Sequence, residues 1–296
     1  MQTVASLLSS FFANRLRAAL WIAAVALAIG LVVGVLLGFR PHRAASVPVT
    51  RRQLVAAYIQ RVDRIEVAMA PQVRAIDREY KLFAKDPKGL VARVPAYRRA
   101  EGTLALLARR LAAVDPPREA RKLQGLLVQL ADANASIAKT VSGLAVYLPS
   151  LVRVQRPLQA AIAALRTGIH KGKTAKAQAG AFATYSMTTA TIADAVAALR
   201  PPHVFAQARA AELSQLRELS SIASAIEDAL LHKHAKVAQR LVAQLGQVEA
   251  GTTVVRAQRA GAAAFDATLQ HVVRLAKQIE TERKLLEKRL SVASGS

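Results

Sequence analysis

The reactive side chains of this chain are not spaced as known catalytic or metal-binding motifs require. Its histidines are His42, His170, His203, His232, His234 and His271. A metal-binding pair on one helix face needs a spacing of three or four residues, whereas His232 and His234 are two residues apart. The sequence contains no H-E-x-x-H or E-x-x-H motif. We therefore predict no metal site, and we expect the histidines to lie on the surface.

The segment 168–174, with the sequence G-I-H-K-G-K-T, looks like a phosphate-binding loop. Such a loop needs four residues between its glycines, so that consecutive backbone N–H groups surround the phosphates. Only three residues separate Gly168 from Gly172. The loop also needs a preceding buried strand, whereas residues 158–165 have a helical pattern. We predict a turn between two helices here, and no nucleotide or other cofactor.

The carboxylates form no acid–base pair that chemistry could use. Glu280 and Lys284 have the i, i+4 spacing of an ordinary surface pair on a helix, which contributes about 0.3–0.5 kcal/mol. Asp77 and Lys81 have the same spacing. The chain has no cysteine, which excludes a thiol nucleophile, a disulfide and a cysteine-ligated metal. We predict a protein that is not an enzyme and has no catalytic residues.

The chain is strongly basic, with a formal net charge of +23 at pH 7 from 42 Lys and Arg against 19 Asp and Glu. Such an excess favours anionic partners, which could be lipid headgroups, anionic wall polymers or nucleic acid. The alternative is that the arginine and alanine content reflects a G+C-rich genome. No aromatic side chains alternate with the cations and no recognition module is present, so nucleic acid is the least favoured of the three partners.

Four cations form a candidate contact surface for an anionic partner: Arg74, Arg78, Lys81 and Lys85. Their spacings of 4, 3 and 4 place them on one side of a helix, about one turn apart. Asp77 and Glu79 neutralise part of this stripe. A solvated helix face without a partner is therefore the competing interpretation.

Residues 20–39 contain no charged side chain and predict a transmembrane helix. Twenty residues at about 1.5 Å each span about 30 Å, the thickness of a bilayer's hydrocarbon core. Arg15 and Arg17 precede the segment, Arg40 and Arg43 follow it, and Trp21 occupies an interfacial position. The alternative is a cleaved signal peptide, whose apolar stretch would be about 7–15 residues long and followed by a small-residue cleavage site. We favour an uncleaved anchor.

Within this segment, Ala26, Gly30, Gly34 and Gly38 recur at every fourth residue. On a helix they form one shallow face along which two helices can approach closely, so the segment could form a homodimer. The alternative is that membrane helices are rich in glycine and alanine in any case.

The charges around the segment leave its orientation open. Two cations lie close before it and four after it, which by charge alone would keep the following domain in the cytoplasm. Long domains translocate largely regardless of their charge. We expect a single-pass protein of the cell membrane with an extracytoplasmic helical domain.

Apolar residues recur at helical spacing from residue 51 to residue 290, and no segment alternates as a strand does. The predicted fold class is all-α, a single N-terminal transmembrane helix followed by an antiparallel long-helix bundle. The predicted boundaries are 1–19 for an N-terminal flank, 20–39 for the transmembrane helix, 40–50 for a linker, 51–290 for the bundle domain and 291–296 for a disordered tail.

Two details of the helical pattern lead to further expectations. Asn134 interrupts an apolar stripe, where it could fix the register of the helices or lie at a solvated rim. Pro71 is expected to kink the first long helix rather than end it. Because no proline follows Pro202, the longest helices are expected in the C-terminal third.

A weak helical-hairpin repeat is also predicted. The segment 111–117, LAAVDPP, matches the later segment 196–202, VAALRPP. A basic turn precedes each double proline at a similar distance, at 85–89 and at 170–173, and a third such turn could lie at 232–236. Two helices joined by a proline corner could also produce this similarity by chance.

These patterns favour a non-enzymatic, membrane-anchored helical interaction module at the cell envelope, acting as a scaffold, an adaptor or a sensor-like domain with a basic surface. The alternative is a cytoplasm-facing membrane tether that binds nucleic acid or anionic lipid.

Overall fold

The computed structural model describes residues 50–85 and 90–292. The predicted transmembrane helix at 20–39, its flank and its glycine face lie outside the described residues. Within the described ranges the chain is helical and contains no strand. The all-α prediction is confirmed for this part of the chain.

The described residues form long helices joined by short turns. In chain order these are α1 (Arg51–Lys85), α2 (Leu90–Ala112), α3 (Arg121–Lys171), α4 (Ala175–Ala198), α5 (Ala206–Leu231), α6 (Ala235–Glu249) and α7 (Thr252–Val292), with single 3-10 turns at Arg118–Ala120 and His203–Phe205. The helices form because their apolar residues, spaced three and four apart, give each one a buried stripe. Along α3, for example, Leu123, Leu127 and Val141 are buried.

Asn134 belongs to this buried stripe. Its side chain is 5% exposed, and its Nδ2 donates to Leu130 O at 2.9 Å. The solvated-rim interpretation is therefore wrong. An amide can replace an apolar residue here because the carbonyl one turn earlier satisfies its donor.

The prediction that the longest helices follow Pro202 is also wrong. The longest described helix is α3, of 51 residues, which continues through Pro149 and Pro157. Likewise α1 continues through Pro71 and α2 through Pro95. A proline inside a helix costs about 3 kcal/mol through its lost hydrogen bond and its clash with the preceding turn. Burial of apolar residues on both sides of each proline offsets that cost, and sequence pattern alone does not report this burial.

The described chain divides into two compact units. Unit 1 contains the described residues up to Ser142 together with those from Phe265 onward, and unit 2 is Gly143–Ala264. The core of unit 1 is built from α1, α2 and the ends of α3 and α7 that belong to it, and includes Tyr97, Leu104 and Leu269. The core of unit 2 contains a cluster around Phe182, Tyr185 and Ile226.

One described helical stretch, Arg118–Lys171, is long and apolar enough to cross a membrane. Within its most apolar window, 44% of the residues are buried inside the protein. The core helices of globular domains have the same length and composition. Because Leu123, Leu127 and Val141 of this stretch are core residues, its length and composition alone do not indicate a membrane span. The predicted anchor at 20–39 is a separate segment, outside the described residues.

Two segments of the described chain share one architecture, and a single constant shift in residue number relates them. The helices α2 and α4 begin at 90 and 175, the 3-10 turns begin at 118 and 203, and the helices after them begin at 121 and 206. Between 90–141 and 175–226, fourteen equivalent positions are buried in both segments. The correspondence therefore extends well beyond the double prolines that first indicated it.

Candidate functional site

Unit 1 contains a half-buried cluster of ionisable side chains contributed by α1 and α7. Arg283 Nη2 donates to Glu66 Oε2 at 2.6 Å and to Asp63 Oδ1 at 3.3 Å. The i, i+3 spacing on α1 brings the two carboxylates to one face. Burial raises the pKa of both Asp63 and Glu66, and the positive charge of Arg283 opposes that rise. One guanidinium thus compensates two carboxylates.

A second polar contact in unit 1 holds the proline corner between α2 and α3. Tyr58 Oη donates to Gln124 Oε1 at 2.7 Å. Gln124 Nε2 in turn donates to Leu111 O at 2.7 Å and to Val114 O at 3.1 Å. Burial raises the pKa of the Tyr58 phenol, so this hydroxyl stays protonated and remains a donor. The chain of bonds adds a second donor to Leu111 O, which also accepts from Val114 N at 3.1 Å, and gives a donor to Val114 O just beyond the end of α2.

A small cavity of about 20 Å³ lies beside this network in unit 1. Its lining is mostly apolar, with Glu66 and Asn134 as the polar members. A buried water needs roughly 10–15 Å³ and at least two polar partners. The cavity therefore has the size of a single water molecule.

A third charged group in unit 1 is Glu282 on α7, whose side chain is only 4% exposed. Lys122 Nζ lies 2.6 Å from its Oε2, and Arg289 Nη1 lies 3.8 Å from its Oε1. Both cations reach inward from exposed positions, because their long aliphatic stems allow the charged head to meet a partly desolvated carboxylate.

Unit 2 has its own buried polar contacts. Glu212 on α5 is 5% exposed and accepts a hydrogen bond from Gln155 Nε2 on α3. Burial raises the pKa of Glu212, and the bond from Gln155 opposes that rise. Tyr185 Oη donates to Glu249 Oε1 at 3.2 Å, which joins α4 to α6.

The proline corner of unit 2 is held by Arg209. Its Nε donates to Val196 O at 3.2 Å and its Nη2 donates to Ala197 O. These two carbonyls end α4, just as Leu111 O lies at the end of α2. The positive side chain also lies favourably at the negative end of the α4 dipole.

Outside these interior contacts, the described surface is dominated by positive charge. Of the 35 Lys and Arg side chains that the structure describes, 32 are exposed. Of the 16 Asp and Glu side chains described, six are exposed. The carboxylates lie preferentially in half-buried or buried positions, so the charge that solvent meets is more basic than the composition alone indicates.

The residues proposed from sequence have different outcomes. Arg74 and Arg78 are exposed on α1, as the stripe requires. Lys81 and Lys85 continue the same helix, and their side chains lie outside the described set. The face formed by Ala26, Gly30, Gly34 and Gly38 also lies outside the described residues. The role of the stripe as a contact surface therefore stays a prediction.

The lookalike phosphate loop is a helix-to-helix turn, as predicted. Gly168 lies inside α3, where a Cβ would come within 2.5 Å of the Ala181 side chain. Thr174 caps α4 by accepting from Ala177 N at 3.1 Å. Gln178 Nε2 donates to Gly172 O at 3.1 Å and fixes the turn. The glycines therefore serve packing and turn geometry.

The five histidines in the described ranges, His170, His203, His232, His234 and His271, are all exposed, which confirms their predicted surface position. Among the described residues no group of three or more His, Cys, Asp or Glu could hold a metal ion.

Sequence reasoning missed the Asp63–Glu66–Arg283 cluster. Its local signal was the i, i+3 pair of acids on α1, but Arg283 lies 220 residues from Asp63 along the chain. Comparison of the chain with protein-family models, with curated proteins and with solved structures finds no match.

Proposed function

We propose that this chain is a non-enzymatic, membrane-anchored helical interaction module whose basic surface binds an anionic partner. The partner that we favour is the headgroups of anionic lipid. The observation that carries the proposal is the segregation of charge, with 32 exposed cations against six exposed carboxylates in the described residues.

The internal contacts explain how this segregation arises. Asp63, Glu66 and Glu282 are held by cations within unit 1, and Glu212 is held by Gln155 within unit 2. These carboxylates support the fold and neutralise little of the positive charge on the exposed surface. A surface left with a large excess of one sign attracts oppositely charged surfaces over about a Debye length.

The anchor supports a membrane as the partner. Residues 20–39 are long enough to span the hydrocarbon core, and the described helices begin at Arg51, so a short linker would hold the basic surface near headgroups. We propose a single-pass protein of the cell membrane with an extracytoplasmic helical domain, which self-associates through Gly30, Gly34 and Gly38. Cleavage of the domain by protease added to intact cells or spheroplasts tests this orientation, and full protection would place the domain in the cytoplasm.

The correspondence between 90–141 and 175–226 supports a modular origin for the helical part. We infer that a helical hairpin, consisting of two antiparallel helices joined by a double-proline corner, was duplicated to give these two segments. Shared boundaries and fourteen shared buried positions are the basis for this inference. Such a module suits a scaffold or spacer, because added copies lengthen the structure without a new core design.

Flotation with lipid vesicles tests the proposed function. The full chain is placed in nanodiscs of neutral phosphatidylcholine and mixed with vesicles of phosphatidylcholine, either alone or with phosphatidylglycerol as the minor component, against empty nanodiscs as the control. We expect co-flotation with the anionic vesicles only. Absence of binding to both kinds of vesicle at low salt would contradict the proposal.

A further inference from the structure

Two basic helix-to-helix turns belong to unit 2. The first joins α3 to α4 and is capped by Thr174, and the second joins α5 to α6 at 232–234. Both are short and closed by local hydrogen bonds. In the second turn, His234 N donates to Ala229 O at 2.7 Å and His232 N donates to Asp228 O at 3.0 Å, which closes the end of α5.

The α4–α5 hairpin places these two turns side by side. Arg209 Nε contacts Val196 O beside the proline corner, and further along the hairpin Ser186 Oγ lies 3.1 Å from Ser220 Oγ. Both contacts fit a single antiparallel alignment of α4 and α5. Extended along the hairpin, this alignment places the start of α4 opposite the end of α5. The side chains just inside this end pack in one hydrophobic cluster, to which all four helices contribute: Leu165, Ala181, Phe182, Ile226, Leu230 and Leu241.

We name this end of unit 2 the basic tip and define it by its exposed cationic and histidine side chains. These are His170, Lys171, Lys173 and Lys176 on the first turn, and His232, Lys233, His234 and Lys236 on the second. The chain has no acidic residue from 133 to 193 or from 229 to 248. The exposed Asp228 is paired with His232, with 3.1 Å between Oδ1 and Nδ1. The five lysines of the tip outnumber the two carboxylates next to its second turn, Asp228 and the half-buried Glu227, so the tip has a net positive charge.

Aliphatic side chains are exposed among these cations. Ile169 is 37% exposed, Leu231 52% and Val237 45%, and each lies in or next to one of the two turns. Exposed aliphatic side chains within a ring of cations match the interface of an anionic bilayer, where the charges meet headgroups and the apolar groups reach the acyl boundary. Nucleic acid binding would instead favour large aromatic side chains for base stacking, and the tip segments 169–176 and 231–237 contain no Phe, Tyr or Trp.

Lys233, in the second turn, has an unusual backbone conformation. Its φ is +60°, in the left-handed region that favours glycine. His234 N bonds to Ala229 O, and Lys233 N bonds to Leu230 O at 3.3 Å, so Lys233 holds the position after a helix end that glycine most often occupies. A lysine in this strained position lowers stability relative to glycine but adds an exposed cation to the turn.

We propose that the basic tip is a membrane-docking site that binds anionic phospholipid headgroups through its lysines and inserts Ile169, Leu231 and Val237 into the interface. This inference rests on the proposed function and localises it. The tip thereby contributes more to membrane binding than an equal number of cations elsewhere.

The test compares two variants of equal charge in full chains held in neutral nanodiscs. The tip variant carries K171Q, K173Q, K176Q, K233Q and K236Q. The control variant carries R98Q, R99Q, R110Q, R118Q and R121Q, all exposed positions in unit 1. A cation close to an anionic surface contributes roughly a fivefold gain in affinity. We expect the tip variant to lose at least about tenfold in affinity for vesicles with phosphatidylglycerol, and the control variant less than about threefold.

Equal losses of vesicle affinity in the two variants would overturn the tip as a site and leave the proposed function intact. A wild-type chain that does not bind the vesicles would overturn the proposed function itself. Loss of affinity for DNA but not for vesicles in the tip variant would make the tip a polyanion site of another class and would also contradict the proposal.

A second measurement tests insertion. Because the chain has no cysteine, Leu231→Cys provides one unique site for an environment-sensitive fluorophore, and Leu106→Cys provides a matched exposed site in unit 1. The probe at position 231 should shift to the blue on anionic vesicles and the probe at position 106 should not. Identical responses at the two positions would contradict insertion of the tip.

Discussion

Gln124 and Arg209 occupy equivalent positions of the two repeated segments and perform the same task with different chemistry. Each side chain donates to the carbonyl at the end of the preceding helix, Gln124 to Leu111 O and Arg209 to Val196 O. The two acceptors are equivalent by the same shift in residue number that relates the two donors. Each repeated segment therefore closes its proline corner with a side chain from the helix that follows the corner. We call these two side chains, Gln124 and Arg209, the tethers.

This relationship predicts that both tethers stabilise the fold. Replacing Gln124 by Leu should lower the free energy of unfolding by about 1–3 kcal/mol, because Tyr58 Oη and Val114 O lose this partner, while Leu111 O keeps its bond from Val114 N. Replacing Arg209 by Met should cost about 1–2 kcal/mol, because Val196 O and Ala197 O lose the hydrogen bonds from its guanidinium, although Val196 O keeps its bond from Leu199 N. Chemical denaturation of the full chain in detergent measures both changes.

The matched controls for the tethers are Gln129→Leu and Arg217→Met, which remove the same side chains at more accessible positions of the same helices. Both should stay within about 0.5 kcal/mol of wild type. If the tether variants were no less stable than these controls, the corners would be held by packing alone.

The cluster of Asp63, Glu66 and Arg283 predicts a loss of stability that further substitutions partly recover. Arg283→Met leaves Asp63 and Glu66 without their cation in a half-buried site and should destabilise unit 1 by about 1–3 kcal/mol. Adding Asp63→Asn and Glu66→Gln removes the uncompensated charges and should recover much of that loss. Additive effects in this mutant cycle would show that the three side chains are not coupled.

Glu212 predicts a pH dependence of stability. Burial raises its pKa in the folded state above the ordinary 4.5, so the folded chain holds this proton more tightly than the unfolded chain. The resulting stabilisation is complete below the unfolded pKa and is lost as pH rises through the folded pKa. Glu212→Gln should therefore raise the melting temperature at pH 7 and flatten the decline that the wild type shows above about pH 4.5. An unchanged profile would mean that Glu212 is effectively solvated.

The strained turn predicts opposite effects on stability and binding. Lys233→Gly should raise the free energy of unfolding by about 0.5–1 kcal/mol, because glycine adopts φ of +60° without a Cβ clash. It should also weaken binding to anionic vesicles, since one cation of the basic tip is lost. Lys236→Gly, within the first turn of α6, removes the same charge but should lower stability. A less stable Lys233→Gly chain would contradict the assignment of strain.

The sequence predicted the helices, the turn at Thr174 and the surface histidines, because each depends on local spacing and local turn chemistry. The double prolines also identified the corners. The tethers and the Arg283 cluster could not be predicted, because they join residues distant in the chain whose types have many other uses on a helix. Asn134 was ambiguous for a related reason, since one amide in an apolar stripe can face either the core or the solvent until its neighbours are known.

We propose that exposed cations attach this module to an anionic membrane, and the salt dependence of binding tests this attachment most directly. The Debye length falls from about 10 Å at 0.1 M salt to about 3 Å at 1 M. The affinity of the full chain in neutral nanodiscs for vesicles with phosphatidylglycerol should therefore fall at least about tenfold over that range, with no binding to pure phosphatidylcholine. An affinity that is independent of salt, or equal for both kinds of vesicle, would contradict the account.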